Sequence, residues 1–163
     1  MLFPRAHFDS AAKDGKCTCG VHIGISNDLQ YFLYWNGGNG TNNKAKAMAL
    51  HTLLLFCIFL DIGPMNVYGD SKIIIDHMNG IHVIKSDCLS EWLTRIASLW
   101  NPAFFPISHI KRNQNEIADE LSKKGIQTTA SEWHLSISML QALFFLGNSP
   151  LAVINSFLKI LLQ

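Results

Sequence analysis

The sequence predicts an α/β domain in which a three-strand meander feeds alternating helices and strands. Three observations carry this. Residues 6–35 hold three short β-type segments separated by turn residues. Lys44 to Asp61 is a long apolar run that begins with capping residues and ends at Gly63-Pro64. Asn66-Val67-Tyr68-Gly69-Asp70-Ser71-Lys72 reads as a buried strand that ends in a carboxylate and turns directly into a helix. Ligands gather at the carboxyl ends of strands in α/β sheets, which places Asp70 where chemistry occurs. The alternative at this point is that Asp70 or Ser71 only caps the next helix.

Ala6–Ala11 is the first strand, and Asp9 lies within it beside Phe8. An acid inside an apolar strand needs a partner or a function, because burying an unpaired carboxylate is costly. Lys13-Asp14-Gly15-Lys16 makes a turn, Cys17–Ser26 a second strand, Asn27-Asp28 another turn, and Leu29–Trp35 an aromatic third strand. Such short connections impose antiparallel pairing. Gly37-Gly38-Asn39-Gly40 is expected to be a loop, with Thr41-Asn42-Asn43 supplying the N-cap of the long helix. The fourth strand leads into a helix from Ile73 to Met78, stopped at Asn79-Gly80. Leu89, Leu93, Ile96, Leu99 and Trp100 fall at helical spacing and predict a helix over 89–100. Phe104–Ile110 is the fifth strand. Asn113–Lys124 is a helix with Ile117, Ala118 and Leu121 facing inward, ended by Gly125.

A chain of 163 residues, 48% hydrophobic and 15% charged, is globular and long enough for a sizeable core. Its net charge of +1 advertises neither nucleic acid nor membrane, although a local patch would suffice for the former. The four cysteines lack the paired spacing of a zinc site, and free buried thiols in a reducing intracellular compartment are expected. No signal peptide is recognisable, and the apolar run Leu53–Leu60 is too short to span a bilayer. The division expected is a domain over 1–125 and an apolar helical extension over 126–163. Within the extension, Pro150 precedes an amphipathic pattern with Ile154, Phe157, Leu158 and Leu161 on one face. A protein contact through 150–162 suits it better than membrane anchoring, since the polar face carries a single Lys.

Asp9, Asp70 and Asp119 stand out as acids that this order of elements could bring together, because the first and fourth strands are expected to be neighbours. Clustered carboxylates repel unless cations hold them, and open clusters of oxygen ligands suit Mg²⁺ and in-line phosphoryl transfer.

Four local motifs carry a family resemblance. They are Phe8-Asp9-Ser10-Ala11; Thr41-Asn42-Asn43-Lys44-Ala45; Gly69-Asp70-Ser71; and His109-Ile110-Lys111-Arg112 with Asn115, Ala118, Asp119 and Leu121. In this order, each on its expected element, they resemble the ribonuclease H superfamily, and most closely the plant-type domains of retroelement origin. The resemblance covers about Arg5 to Gly125. It implies a five-stranded mixed sheet, three strands antiparallel and two parallel, with helices on both faces. It implies cleavage of the RNA strand of RNA–DNA hybrids by two Mg²⁺ ions. It makes Asp9, Asp70 and Asp119 catalytic metal ligands. Asn42 then touches the minor groove of the hybrid, with Asn43 and Ser71 beside it. His109 stands where some members have an auxiliary histidine, although ending the strand is the simpler role. Exonucleases and integrases of the same fold fit less well, because they lack the Asn-Asn and Arg-x-x-Asn-x-x-Ala-Asp patterns.

One position departs from the family. Where the second motif ends in Glu, this chain has Lys46, and no acid lies between Asp28 and Asp61 to replace it. A cation in the first turns of a helix is disfavoured by about 0.3–1 kcal/mol. The expectation is that Lys46 pairs with Asp9 and Asp70, partly displaces Mg²⁺ and impairs hydrolysis. Ser10 in place of the usual glycine is a smaller departure. Two further readings are a catalytically dead nucleic-acid-binding module and a degenerate domain used for protein contacts. Lys13, Lys16, Lys44, Lys72, Lys111 and Arg112 are scattered, so affinity for a hybrid is expected to be modest and salt-sensitive.

Overall fold

The computed structural model describes residues 4–128 and 133–139. Three antiparallel strands, β1 (Arg5–Lys13), β2 (Lys16–Ser26) and β3 (Leu29–Asn39), form the predicted meander. Helix α1 (Asn42–Phe59) comes next, then β4 (Asn66–Gly69), α2 (Lys72–Met78), α3 (Asp87–Leu99), β5 (Ile107–His109), a 3-10 turn (Arg112–Gln114), α4 (Glu116–Ile126) and β6 (Trp133–Met139). The sheet order is β5-β4-β1-β2-β3-β6. β4 runs parallel to both β1 and β5, so the predicted five-strand mixed sheet is present.

The two faces are read from the alternation of β2. The Cys17 and Cys19 thiols reach the Thr41 and Ala45 carbonyls, so the odd positions face α1. Thr18 Oγ1 donates to the Ser122 carbonyl at 2.7 Å, and Gly20 lies under Ala118 and Ser122, so the even positions face α4. The main core lies on the α1 side, where Phe8, Val21, Ile23 and Leu33 meet Leu50, Leu53, Leu54 and Phe56. α1 is apolar nearly all round because the sheet takes one side of it and α3 packs on another. Thr41 caps it as predicted, accepting from the Lys44 amide at 3.2 Å. Cys17, Cys19 and Cys57 are free and buried.

Several boundaries differ from the sequence expectation. β3 runs on through Gly37 and Gly38, where a loop is expected; a register shift opposite Cys17/Thr18 and a positive φ at Gly38 absorb the irregularity. β5 is shorter than predicted. α4 begins at Glu116, after a separate 3-10 turn, and passes through Gly125. That glycine is not a stop: a side chain there would meet Thr18 and the Trp35 carbonyl, so it permits close packing of α4 on the sheet. Ile117, expected to face inward, is 43% exposed, whereas Ala118 and Leu121 are buried. Trp133–Met139 lies in the expected helical extension and is a strand paired antiparallel with β3, which makes the sheet six-stranded. The amphipathic stretch 150–162 lies outside the described residues. Among those described, no helix is long and apolar enough to cross a membrane.

The tightest helix-to-sheet approach is at Gly20. A Cβ there would press on the Ala118 carbonyl oxygen, the Ser122 amide nitrogen and, at 2.9 Å, the Leu121 Cβ. Backbone cannot yield as a flexible side chain can. Gly20→Ala is expected to destabilise the fold by about 1–3 kcal/mol, the usual range for overpacking, measured by urea unfolding.

Candidate active site

The parallel pairing of β1 and β4 sets the geometry. Phe8 is in register with Gly69, so Asp9 and Asp70 leave their strands at the same level. β4 ends there, leaving Ser10–Lys13 without a partner on that edge. His109 closes β5 in register with Gly69, exposed at the same end of the sheet. Ser71 stands at the N-cap position of α2 but makes no side-chain cap bond, and its buried hydroxyl has no hydrogen-bond partner among the described residues. The simple capping role considered for this stretch is therefore not formed.

α4 brings the third acid. Asn115, 1% exposed, donates from Nδ2 to the Phe8 carbonyl at 2.9 Å and pins the start of α4 to β1 next to Asp9. The sequence motif contains Asn115, but its pinning role is legible only once β1 and α4 are seen to touch. One turn later Asp119 reaches the same place. Its Oδ2 accepts from Lys123 Nζ at 2.6 Å, and its Oδ1 lies 3.7 Å from Arg112. Sequence reasoning picks out neither cation as a partner of this acid, although Lys123 stands four residues on along the helix, a spacing that favours pairing.

Asp9 is 8% exposed and accepts from the Ser10 amide at 2.7 Å. Burial is the main reason its carboxyl is pushed up to about 7; the Ser10 amide works against this, while the charges of Asp70 and Asp119 and a hydrogen bond to Asp119 add to it. Burial would also raise Asp119. Lys123, Arg112 and the bond from Asp9 outweigh it and hold that carboxyl below the usual range. The two neighbouring groups are thus driven in opposite directions, Asp9 toward its protonated form and Asp119 toward its ionised one.

The structure thus gathers Asp9, Asp70 and Asp119 closely enough for each of the latter two to act on Asp9. Asn42 and Asn43 are exposed at the start of α1, while Ser71 is buried. Lys46 is half-buried on α1, which packs on the face opposite α4. The ion pair expected between Lys46 and the acids is not formed: among the described residues Asp9 and Asp70 have no cation within 4 Å, and Asp119 is satisfied by Lys123 and Arg112.

The fold is that of the ribonuclease H-like α/β proteins. A family profile described as reverse transcriptase-like matches residues 7–125, and the chain belongs to this reverse transcriptase-like family. No curated protein matches the sequence. Among solved structures, LC11-RNase H1 in complex with an RNA/DNA hybrid is similar at TM-score 0.67 and 25% identity, over 76% of this chain and 96% of that one. RNase H1 from the halophilic archaeon Halobacterium salinarum NRC-1 matches at TM-score 0.66 and 22% identity, over 76% and 97% of the two chains. The foamy viral protease-reverse transcriptase in complex with RNA/DNA hybrid matches at TM-score 0.56 and 16% identity; 77% of this chain aligns with 20% of that one.

An acid held at about 7 in the fold but 3.8 as a free side chain has a definite pH signature. The stability it contributes is complete below 3.8 and is lost as pH rises through 7, where Asp9 must ionise beside two acids. In chelator-treated protein, Asp9→Asn is expected to raise the melting temperature relative to wild type more at pH 8 than at pH 5.

Proposed function

We propose that this chain is a ribonuclease H-type domain that binds RNA–DNA hybrids and cleaves their RNA strand weakly or not at all. The observation that carries the reading is the convergence of Asp9, Asp70 and Asp119 at one end of the β1–β4 pair, under the start of α4.

The donor set fits a hard divalent cation. All three side chains offer carboxylate oxygens, and a cation would relieve both the burial of the Asp9 carboxyl, the main cause of its raised pKa, and the smaller repulsion from Asp70 and Asp119. The fit is to the chemistry and not to a finished cage. Among the described residues no group of three or more His, Cys, Asp or Glu side chains is arranged to hold a metal ion. Mg²⁺ bound here would polarise the scissile phosphate and its attacking water. Asp9, Asp70 and Asp119 would hold it, and Asn42 and Asn43, exposed on α1, would meet the hybrid where the RNA shows its 2′-hydroxyls. His109, exposed at the same end of the sheet, is close enough in register to serve as an auxiliary group.

Lys46 is the reason for expecting weak hydrolysis. It replaces the acid that completes the family's set, so α1 supplies no fourth carboxylate to join Asp9, Asp70 and Asp119. Lys123 and Arg112 already neutralise Asp119, which lowers the gain from binding a first ion and more so a second. These same features favour the second reading, a hybrid-binding module without catalysis.

The deciding assay is Mg²⁺-dependent cleavage of a labelled hybrid, with binding measured in parallel. Wild type is expected to bind the hybrid in a salt-sensitive way and to show little or no cleavage, while Lys46→Glu gains measurable cleavage. Wild-type turnover equal to that of an intact ribonuclease H would overturn the impairment. Mg²⁺ at millimolar concentration is expected to raise the melting temperature at pH 8 in wild type, more in Lys46→Glu, and not in Asp9→Asn.

A further inference from the structure

α4 crosses the acid-bearing face of the sheet from the Phe8 carbonyl, where Asn115 bonds, to Gly20 and Thr18. Beside that crossing, four rings stand in a row on the same face. Tyr68, His7, His22 and Phe32 are in register on β4, β1, β2 and β3. Neighbouring ring centroids are 5.3, 6.1 and 4.9 Å apart in that order. Between this row and the 3-10 turn lie two hollows. One, of about 180 Å³, has His7, His22 and Asn115 in its walls; the other, of about 240 Å³, has His7, Tyr68 and Ile110. Both are also bounded by Arg5 and Gln114, so they are two arms of one cleft. Asn113, Gln114, Glu116 and Ile117 on its walls are exposed, so the cleft opens to solvent.

Two polar atoms of the wall residues lack partners. Asn115 uses Nδ2 on the Phe8 carbonyl, and its Oδ1 is buried with no hydrogen-bond partner among the described residues; the residue is 1% exposed. His7 Nδ1 is likewise buried and unpartnered among them. Such atoms carry a desolvation cost that a ligand with matching polar groups removes. His22 is already satisfied by Gln30 at 2.8 Å and contributes its ring.

The chemistry of the walls selects among ligands. Among the described residues no group of three His, Cys, Asp or Glu is arranged to hold a metal ion. Glu116 opposes a simple anion. Flat rings beside amide, imidazole and guanidinium groups suit an uncharged planar ring that carries both donors and acceptors, which is the chemistry of an unpaired base. The cleft also adjoins the acids. His7 lies two residues before Asp9 on the same face of β1, a step of about 7 Å, and Tyr68 lies two residues before Asp70.

We propose that this cleft binds one unpaired nucleobase and, resting on the ribonuclease H reading, that the base belongs to a nucleotide adjoining the one held at the acids. The rings of Tyr68, His7 and His22 flank the base, and Asn115 Oδ1 and His7 Nδ1 meet its polar edge. The preferred substrate is then a hybrid with a single-stranded RNA extension rather than a uniform duplex.

Two measurements on the full-length chain, with chelator present so that no strand is cut, test it. The first compares hybrids whose RNA extension is base-bearing or abasic. Wild type is expected to bind the base-bearing hybrid about tenfold more tightly, and in Tyr68→Ala the ratio is expected to fall toward one. Gln114→Ala, at an exposed wall position, is expected to lower the ratio too and covers the case in which Tyr68→Ala does not fold. The second adds free adenosine at millimolar concentration and follows the His7 and His22 imidazole NMR signals, which are expected to shift. Equal affinity of wild type for the two hybrids, with no adenosine shift, overturns the cleft and leaves the ribonuclease H reading standing. Equal affinity with an adenosine shift overturns the strand as the source of the base, in favour of a free nucleoside. Absence of all hybrid binding overturns the ribonuclease H reading, and an adenosine shift then still supports the cleft. A shift produced equally by inorganic phosphate overturns the base in favour of an anion.

Discussion

Helix α4 can lie where it does because Gly20 has no side chain. The Ala118 carbonyl and the Ser122 amide occupy the space a Cβ would need, and Thr18 and Gly125 extend the same close contact along the helix. Asn115 fixes the other end of the approach by bonding the Phe8 carbonyl. Position and tilt of α4 result from these contacts, and with them the meeting of Asp119 with Asp9. Without the approach at Gly20, the site would hold two acids from neighbouring strands and lack the third.

Bringing acids together has an electrostatic cost, and the chain meets it unevenly. Asp119 has Lys123 and Arg112; Asp9 has the Ser10 amide and is shifted toward its protonated form. Lys46 stands on the helix that covers the other face and takes no part in this compensation. Its position on α1 is set by the same Thr41 cap and Cys19 contact that place Asn42 and Asn43. The substitution therefore changes the charge of the site's surroundings without rebuilding its scaffold. A scaffold kept intact with one acid replaced by a cation is what the binding reading and the weak-catalysis reading have in common.

Much of the fold was legible because its signals are local. The Lys13–Lys16 and Asn27-Asp28 turns force antiparallel pairing whatever the rest of the chain does, and Thr41 announces the start of α1 by chemistry that acts over three residues. The misjudged elements depend on distant partners. Gly125 reads as a helix stop, but α4 runs through it, and a glycine suits the position because Thr18 and the Trp35 carbonyl leave little room for a side chain. Gly37 and Gly38 read as a loop, yet continued pairing with β2 keeps them in a strand. Trp133–Met139 reads as part of a helical tail, and the free edge of β3 makes it a strand.

By itself the sequence determined the order of the elements, the motif positions of Asp9, Asp70 and Asp119, and the anomaly at Lys46. Each rests on residue type and short spacing. Only the tertiary structure decided which acid is pushed toward its protonated form, which cations pair with Asp119, and that Lys46 forms no ion pair with the acids. Those outcomes depend on burial and on distances between residues far apart in the chain, and no local pattern encodes either. Asp9 and Asp119 are 110 residues apart in sequence and act on each other because a glycine lets a helix come close.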